Sequence, residues 1–200
     1  MTTAVRVPPG RAGRLRLRRR LATAERGADL LERKLHVLLE EQRVRKRAAQ
    51  ESQGAWNRAA AEAEVWFDRA LAACGHDGMR NAQPSAAAHV VIRETTAMGV
   101  RLCDEAAFTP APDAANAADP GSAALLCAHT AMTRATGAAC RAAVDLAAAR
   151  ALDAAVSTTR RQIRVLRRHW IPRLREALVQ LEFALEQSDF EDGTRRRLAR

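Results

Sequence analysis

No stretch of this 200-residue sequence approaches eighteen consecutive apolar residues, so no membrane-crossing helix is expected. The first twenty residues are basic, but no apolar run follows them, and no secretory signal is read there. The segment before Glu25 lacks acids, as a transit peptide does, yet it also lacks serine. Cys74, Cys103, Cys127 and Cys140 have no C-x-x-C spacing, and reduced thiols are expected. Cys127, His129 and Cys140 do not share one helical face at their spacings, which argues against a metal site. The phosphate-loop pattern G-x-x-x-x-G-K-[ST], the elbow G-x-S-x-G and the zinc pattern H-E-x-x-H are all missing. His36, His76, His89 and His169 are scattered and read as surface residues. No cofactor is expected, and a catalytic role is not. Lysine is nearly missing too, with only Lys34 and Lys46 among 33 basic residues. The net charge is +10 and the pI about 11.1, so the partners should be polyanionic or acidic. Nucleic acid, an anionic membrane face and an acidic protein cavity all satisfy that condition.

What the sequence does contain is a long seam. Alternating steps of four and three from Leu17 reach Leu21, Ala24, Ala28, Leu31, Leu35, Leu38, Gln42, Arg45, Ala49, Ser52, Trp56, Ala59, Ala63, Trp66, Ala70 and Ala73. Only Gln42, Arg45 and Ser52 break the apolar pattern, which is that of a heptad helix. Pro8, Pro9 and Gly10 resist helix, so residues 1–10 are expected to be a disordered start and the helix to run over 11–73. Gly54 inside it costs about 1 kcal/mol relative to Ala. The run Cys74, Gly75, His76, Asp77, Gly78 should end it. At 1.5 Å per residue its length is about 95 Å, more than a globular core can bury, so it needs a partner of equal length.

Residues 74–120 form a middle insert. Val90 and Ile92 alternate, Thr95 and Thr96 follow, and Val100 and Leu102 alternate after Met98 and Gly99. That pattern predicts a small two-stranded β-hairpin over about 89–103. Such a hairpin is marginal alone and should lean on the helices or on a partner. Pro110, Pro112 and Pro120 among small residues predict a Pro/Ala-rich loop. Asp119 as N-cap with Pro120 in first position should start a second long helix over 121–188. Its seam is Ala-rich from Ala124 to Val156, then runs Thr159, Ile163, Leu166, Trp170, Leu174, Ala177, Leu181, Leu185 and Ser188. From Leu166 the steps make an eleven-residue repeat, which removes left-handed supercoiling. Pro172 lies inside this stretch and implies a bend or compensating packing. A basic tail, 189–200, should fray. The fold expected is all-α dominated: a long antiparallel two-helix coiled coil with a small β-hairpin insert.

Arg14, Arg16, Arg18, Arg19 and Arg20 start the first helix, and Arg160, Arg161, Arg164, Arg167, Arg168, Arg173 and Arg175 load the second near its end. Antiparallel folding would bring both clusters to one half of the pair. They read either as a solvated face or as a surface enclosed by acidic partners. A basic coiled coil that binds nucleic acid also fits, although no aromatic platform or groove-reading motif accompanies the arginines.

The two ends together resemble the D subunit of the rotary V-type and A-type ATPases, a central rotor shaft. Pro9, Arg11, Leu15, Arg16, Leu17, Arg18, Arg19, Arg20 and Leu21, continued by Arg26, Gly27, Leu30, Leu31 and Lys34, fit the opening pattern of that family. Arg160, Arg161, Ile163, Leu166, Ile171, Pro172, Arg173 and Leu174 resemble its R-R-x-V-N-A-L-E-x-x-x-I-P-R-L signature. Arg164 and Arg167 stand where that signature has Asn and Glu. Met98, Gly99 and Val100 are similar to its short middle hairpin. The resemblance implies a non-catalytic shaft that carries torque between ATP hydrolysis or synthesis and ion translocation in the membrane sector. The implied partners are the catalytic and regulatory subunits of the hexamer, a small rotor subunit and a funnel-shaped subunit above the membrane ring. The implied place is cytoplasmic, peripheral to the membrane and without insertion into it, with no nucleic acid bound. Arg11, Arg16, Arg19, Arg161, Arg164, Arg173 and Arg175 are the candidates for the rotor tip, and Val90, Ile92, Val100 and Leu102 for partner docking.

Overall fold

The computed structural model describes residues 10–82, 86–111 and 122–198. Helix α1 spans Arg11–Asn81, strands β1 and β2 span His89–Ala97 and Val100–Thr109, and helix α2 spans Ala123–Val165. A π-helical turn, Leu166–Trp170, joins α2 to helix α3, Ile171–Leu198. The chain is thus helix-dominated with one small antiparallel hairpin. It divides into two compact units, one of residues 1–37 and 156–200 and one of residues 38–155.

In the first unit the heptad positions of α1 face inward. Leu17 and Ala28 are buried, and Leu21, Ala24, Leu31 and Leu35 are half-buried. They meet the other helical stretch of the unit through Val156, Thr159, Ile171 and Leu174, all buried. Pairing is antiparallel, since Arg18, Glu25 and Asp29 of α1 meet Glu182, Arg175 and Arg167 in falling order.

The second unit packs on smaller residues. Ala63, Ala131 and Ala135 form one buried cluster with Ala59 and Trp66 against it, and Ala70, Leu125 and Ala128 form another. Leu38 and Leu152 are its largest buried helical side chains. The three polar seam positions all find partners here. Gln42 hydrogen-bonds Asp153, Arg45 pairs with Glu41 and Asp104, and the Ser52 hydroxyl donates to the Ala49 carbonyl. Trp56 is 38% exposed and Ala73 is exposed, so neither belongs to the packed seam expected of them.

Four expected boundaries move. α1 does not stop at residue 73: Gly75 interrupts it with φ 66° and ψ −179°, and helix resumes to Asn81. Glycine carries that positive φ without a Cβ clash, so the chain turns and re-enters helix. The hairpin extends to Thr109 rather than 103, because Phe108 gives β2 a further anchor on α2. α2 begins at Ala123, with the Ser122 hydroxyl accepting from the Ala124 N–H and the Ser122 carbonyl from Leu125. The expected cap Asp119 with Pro120 lies outside the described residues, as do residues 1–9, Pro84 and Pro112. Finally, residues 189–198 continue as helix, where a frayed tail was expected. The Thr194 hydroxyl bonds the Phe190 carbonyl across the turn that holds Gly193.

Pro172 is accommodated by the π turn just before it. Proline has no N–H, and its ring would press on the carbonyl four residues back. In the wider turn the Ile171 N–H reaches the Leu166 carbonyl, five residues back. The extra residue moves one inward place by one position, while Leu174, Ala177, Leu181 and Leu185 stay buried or half-buried as their spacing predicts. Ile171 takes the inward place at 3% exposure, and Trp170, expected in the seam, is 41% exposed.

Candidate interaction surfaces

Charge is divided unevenly. The unit of residues 1–37 and 156–200 holds 21 of the 33 basic residues and 9 of the 23 acidic ones, so it carries more than the whole net charge of the chain. The other unit is slightly acidic.

The two arginine clusters lie in the same compact unit, the half in which antiparallel folding was expected to bring them. Each lies across from acids on the opposite helix. At the start of α1, Arg18 pairs with Glu182 at 2.5 Å and Arg11 with Asp189 at 3.8 Å. Arg167, by contrast, reaches Asp29 at 2.5 Å and Glu32 at 3.0 Å, and Arg175 reaches Glu25 at 2.6 Å. The eleven-residue step from Arg18 to Asp29 sets these contacts about 16 Å apart along α1. Opposite charges on facing helices attract, so these pairs fix the register within the shared basic unit. Glu32 does most to hold the Arg167 guanidinium above its usual pKa, with Asp29 adding to it.

Of the seven candidate tip arginines, Arg11 and Arg175 are therefore ion-paired. Arg16, Arg19, Arg161, Arg164 and Arg173 are exposed and have no acidic partner among the described residues. They can meet an external anion without first breaking an internal pair. Exposed pairs contribute little each, about 0.2–1 kcal/mol, so the paired arginines serve register more than stability.

The hairpin presents the second surface. Met98 and Gly99 both have positive φ, 50° and 77°, as a two-residue type I′ turn requires. A bulge between Arg93 and Glu94 leaves Asp104 with no partner across the ladder. Freed from the register, Asp104 accepts from Arg45 of α1 at 2.9 Å. The hydrogen bond to Glu41 does most to raise the Arg45 pKa above its usual value, burial opposes it, and Asp104 adds to it. Further along β2, a Cβ on Gly137 of α2 would come within 3.3 Å of the Phe108 ring, so glycine there admits the ring closely.

The four candidate docking residues separate on this geometry. Val90 and Ile92 are 43% and 55% exposed. Val100 is half-buried, and Leu102 is 1% exposed. Leu102 fastens the hairpin within its own chain and is not open to a partner, which corrects its expected role. Val91, 55% exposed, belongs to the open surface and was missed. An alternating pattern assigns it to the opposite face from Val90 and Ile92, so it falls outside a docking face drawn through those two.

All four cysteines are free and half-buried. Among the described residues no group of three or more His, Cys, Asp or Glu side chains gathers as a metal-ligand set. No helix among them is long and apolar enough to cross a membrane. No curated protein sequence matches the chain. A family model described as that of the ATP synthase D subunit matches residues 14–200, a span that includes most of both units and the whole hairpin.

Proposed function

The chain belongs to the ATP synthase D-subunit family, and from that premise we propose that it is the central rotor shaft of a V/A-type rotary ATPase. Membership makes it a stalk subunit that associates with other subunits of the complex. The finer reading concerns torque. A shaft must resist twisting, and two antiparallel helices cross-linked by staggered ion pairs do so better than one. The basic unit, with Arg16, Arg19, Arg161, Arg164 and Arg173 unpaired among the described residues, suits a cavity lined by acidic groups. We assign that cavity to the hexamer of catalytic and regulatory subunits. The unit with the hairpin then faces the small rotor subunit and the funnel-shaped subunit above the membrane ring. The chain itself does no chemistry in this reading, and it works on the cytoplasmic side without entering the bilayer.

The family match over residues 14–200 carries this reading. Affinity purification of the full chain from its native membrane, with identification of what co-elutes, tests it. Recovery of the hexamer and small stalk subunits is expected. Recovery of nucleic acid alone would overturn it in favour of a basic coiled coil that binds polyanions.

A further inference from the structure

Helix α1 carries a second seam on its far side. Leu15, Arg19, Ala22, Arg26, Leu30, Arg33 and Val37 follow one another by steps of four, three, four, four, three and four. At about 100° per residue they fall within an arc of about 80°, opposite the inward Leu17, Leu21, Ala28 and Leu35. All seven are exposed, Leu15 by 52%, Leu30 by 60% and Val37 by 44%, and all lie in the basic unit. Single apolar residues are ordinary on a surface, but these share one line with the arginines.

The charge of that line is uncompensated. Glu25, Asp29 and Glu32 are the acids of α1 over residues 11–37, and Arg175 and Arg167 engage all three across the inner seam. Arg19 and Arg33 meet no acid among the described residues, and Arg26 donates to the Ala22 carbonyl of its own helix.

Apolar and basic side chains interleaved at this spacing fit one kind of occupant. A helix laid along α1 repeats its contacts every seven residues, so it can set an apolar side chain on each apolar position and a carboxylate beside each arginine. A membrane surface matches less well, because an interfacial helix buries a broad apolar face with aromatic anchors, and this arc is narrow and has none. Phosphates would use the arginines and leave Leu15, Leu30 and Val37 in water. A second copy presenting the same stripe would set arginine against arginine.

We infer that an acidic amphipathic helix of another subunit lies along the outer face of α1 over residues 15–37. This rests on the reading that the basic unit enters a protein cavity of the rotary complex, and it names the face and the chemistry of that contact.

The test uses the full-length chain in the complex purified from its native membrane. A photoreactive benzoylphenylalanine replaces Ala22, between Arg19 and Arg26, and the captured peptide is sequenced by mass spectrometry. A peptide of another subunit with Asp or Glu three or four residues from apolar positions is expected. Capture of a second copy, of lipid, of nucleic acid or of a peptide without such acids overturns the inference, as does no capture from an intact complex. Arg19→Glu, Arg26→Glu and Arg33→Glu together should lower incorporation into the complex by about tenfold or more, and Lys at the same three positions should restore most of it. Circular dichroism of the free chain checks that the Glu variant is folded; if it loses helix, Gln at the three positions replaces it, with a smaller drop expected. Incorporation of the folded variant at the wild-type yield overturns the inference alone. Failure to recover any ATPase subunit with the wild-type chain overturns the functional reading beneath it.

Discussion

Replacing Leu102 by Ala probes how the hairpin is attached. Leu102 is 1% exposed and is the one fully buried large side chain of either strand. Leu→Ala in a packed core costs about 2–5 kcal/mol. The lower half of that range applies here, because a hairpin on a two-residue turn can settle into the space left behind. Further attachments are the Arg45–Asp104 pair and the Phe108 contact on Gly137. Arg45 is 21% exposed and Asp104 is 48% exposed, so their pair adds about 1 kcal/mol at most after solvent screening. An isolated two-stranded hairpin has almost no stability of its own, so most of the lost energy should appear as undocking. A loss of about 2–3 kcal/mol multiplies the undocked population by about 30 to 150, at 1.4 kcal/mol per factor of ten. Amide exchange in β1 and β2 should therefore accelerate by that factor in Leu102→Ala, while α1 and α2 keep their protection. Hairpin exchange as slow as in the wild type would refute the argument that Leu102 is the fastener. Equal loss from the helices would show instead that hairpin and helices unfold as one unit.

Other expectations follow from single features. Met98 holds a positive φ of 50° that asparagine adopts more readily, so Met98→Asn should slow hairpin exchange by an amount equivalent to about 0.5–1 kcal/mol. The Asp153 carboxyl is held below its usual pKa, chiefly by Lys46, with Gln42 adding to the effect. A lowered folded pKa gives stability that is whole above the unfolded value and is lost as pH falls through the folded one. Urea midpoints should therefore decline below about pH 4 in the wild type and less steeply in Asp153→Asn. Beyond Leu185, α3 has no buried residue, so deleting residues 188–200 should remove only the helical circular dichroism of that segment. In a reconstituted complex the same truncation should reduce ATP-driven ion pumping, and unaltered pumping would remove the tail from the torque path.

The inward face of α1 was legible from sequence because a helix seam is a local property. Residues three and four apart share a face whatever the partner, and Leu17, Ala28, Leu38, Ala63 and Ala70 are buried as their spacing requires. The hairpin was legible for the same reason: β-branched residues alternate on either side of a Met-Gly turn. Register between elements has no such local signature. Which acids face Arg167 and Arg175 depends on how the π turn and α3 slide along α1, and either strand of charges read alone suggests a purely basic end. The exchange of Trp170 for Ile171 depends on one carbonyl-to-amide distance in the π turn, set by the need to fit the Pro172 ring. Asp104 meets Arg45 only because the ladder slips by one residue at Arg93. Periodicity along one element belongs to the sequence, whereas the phase of one element against another follows from packing, which only the tertiary structure decides.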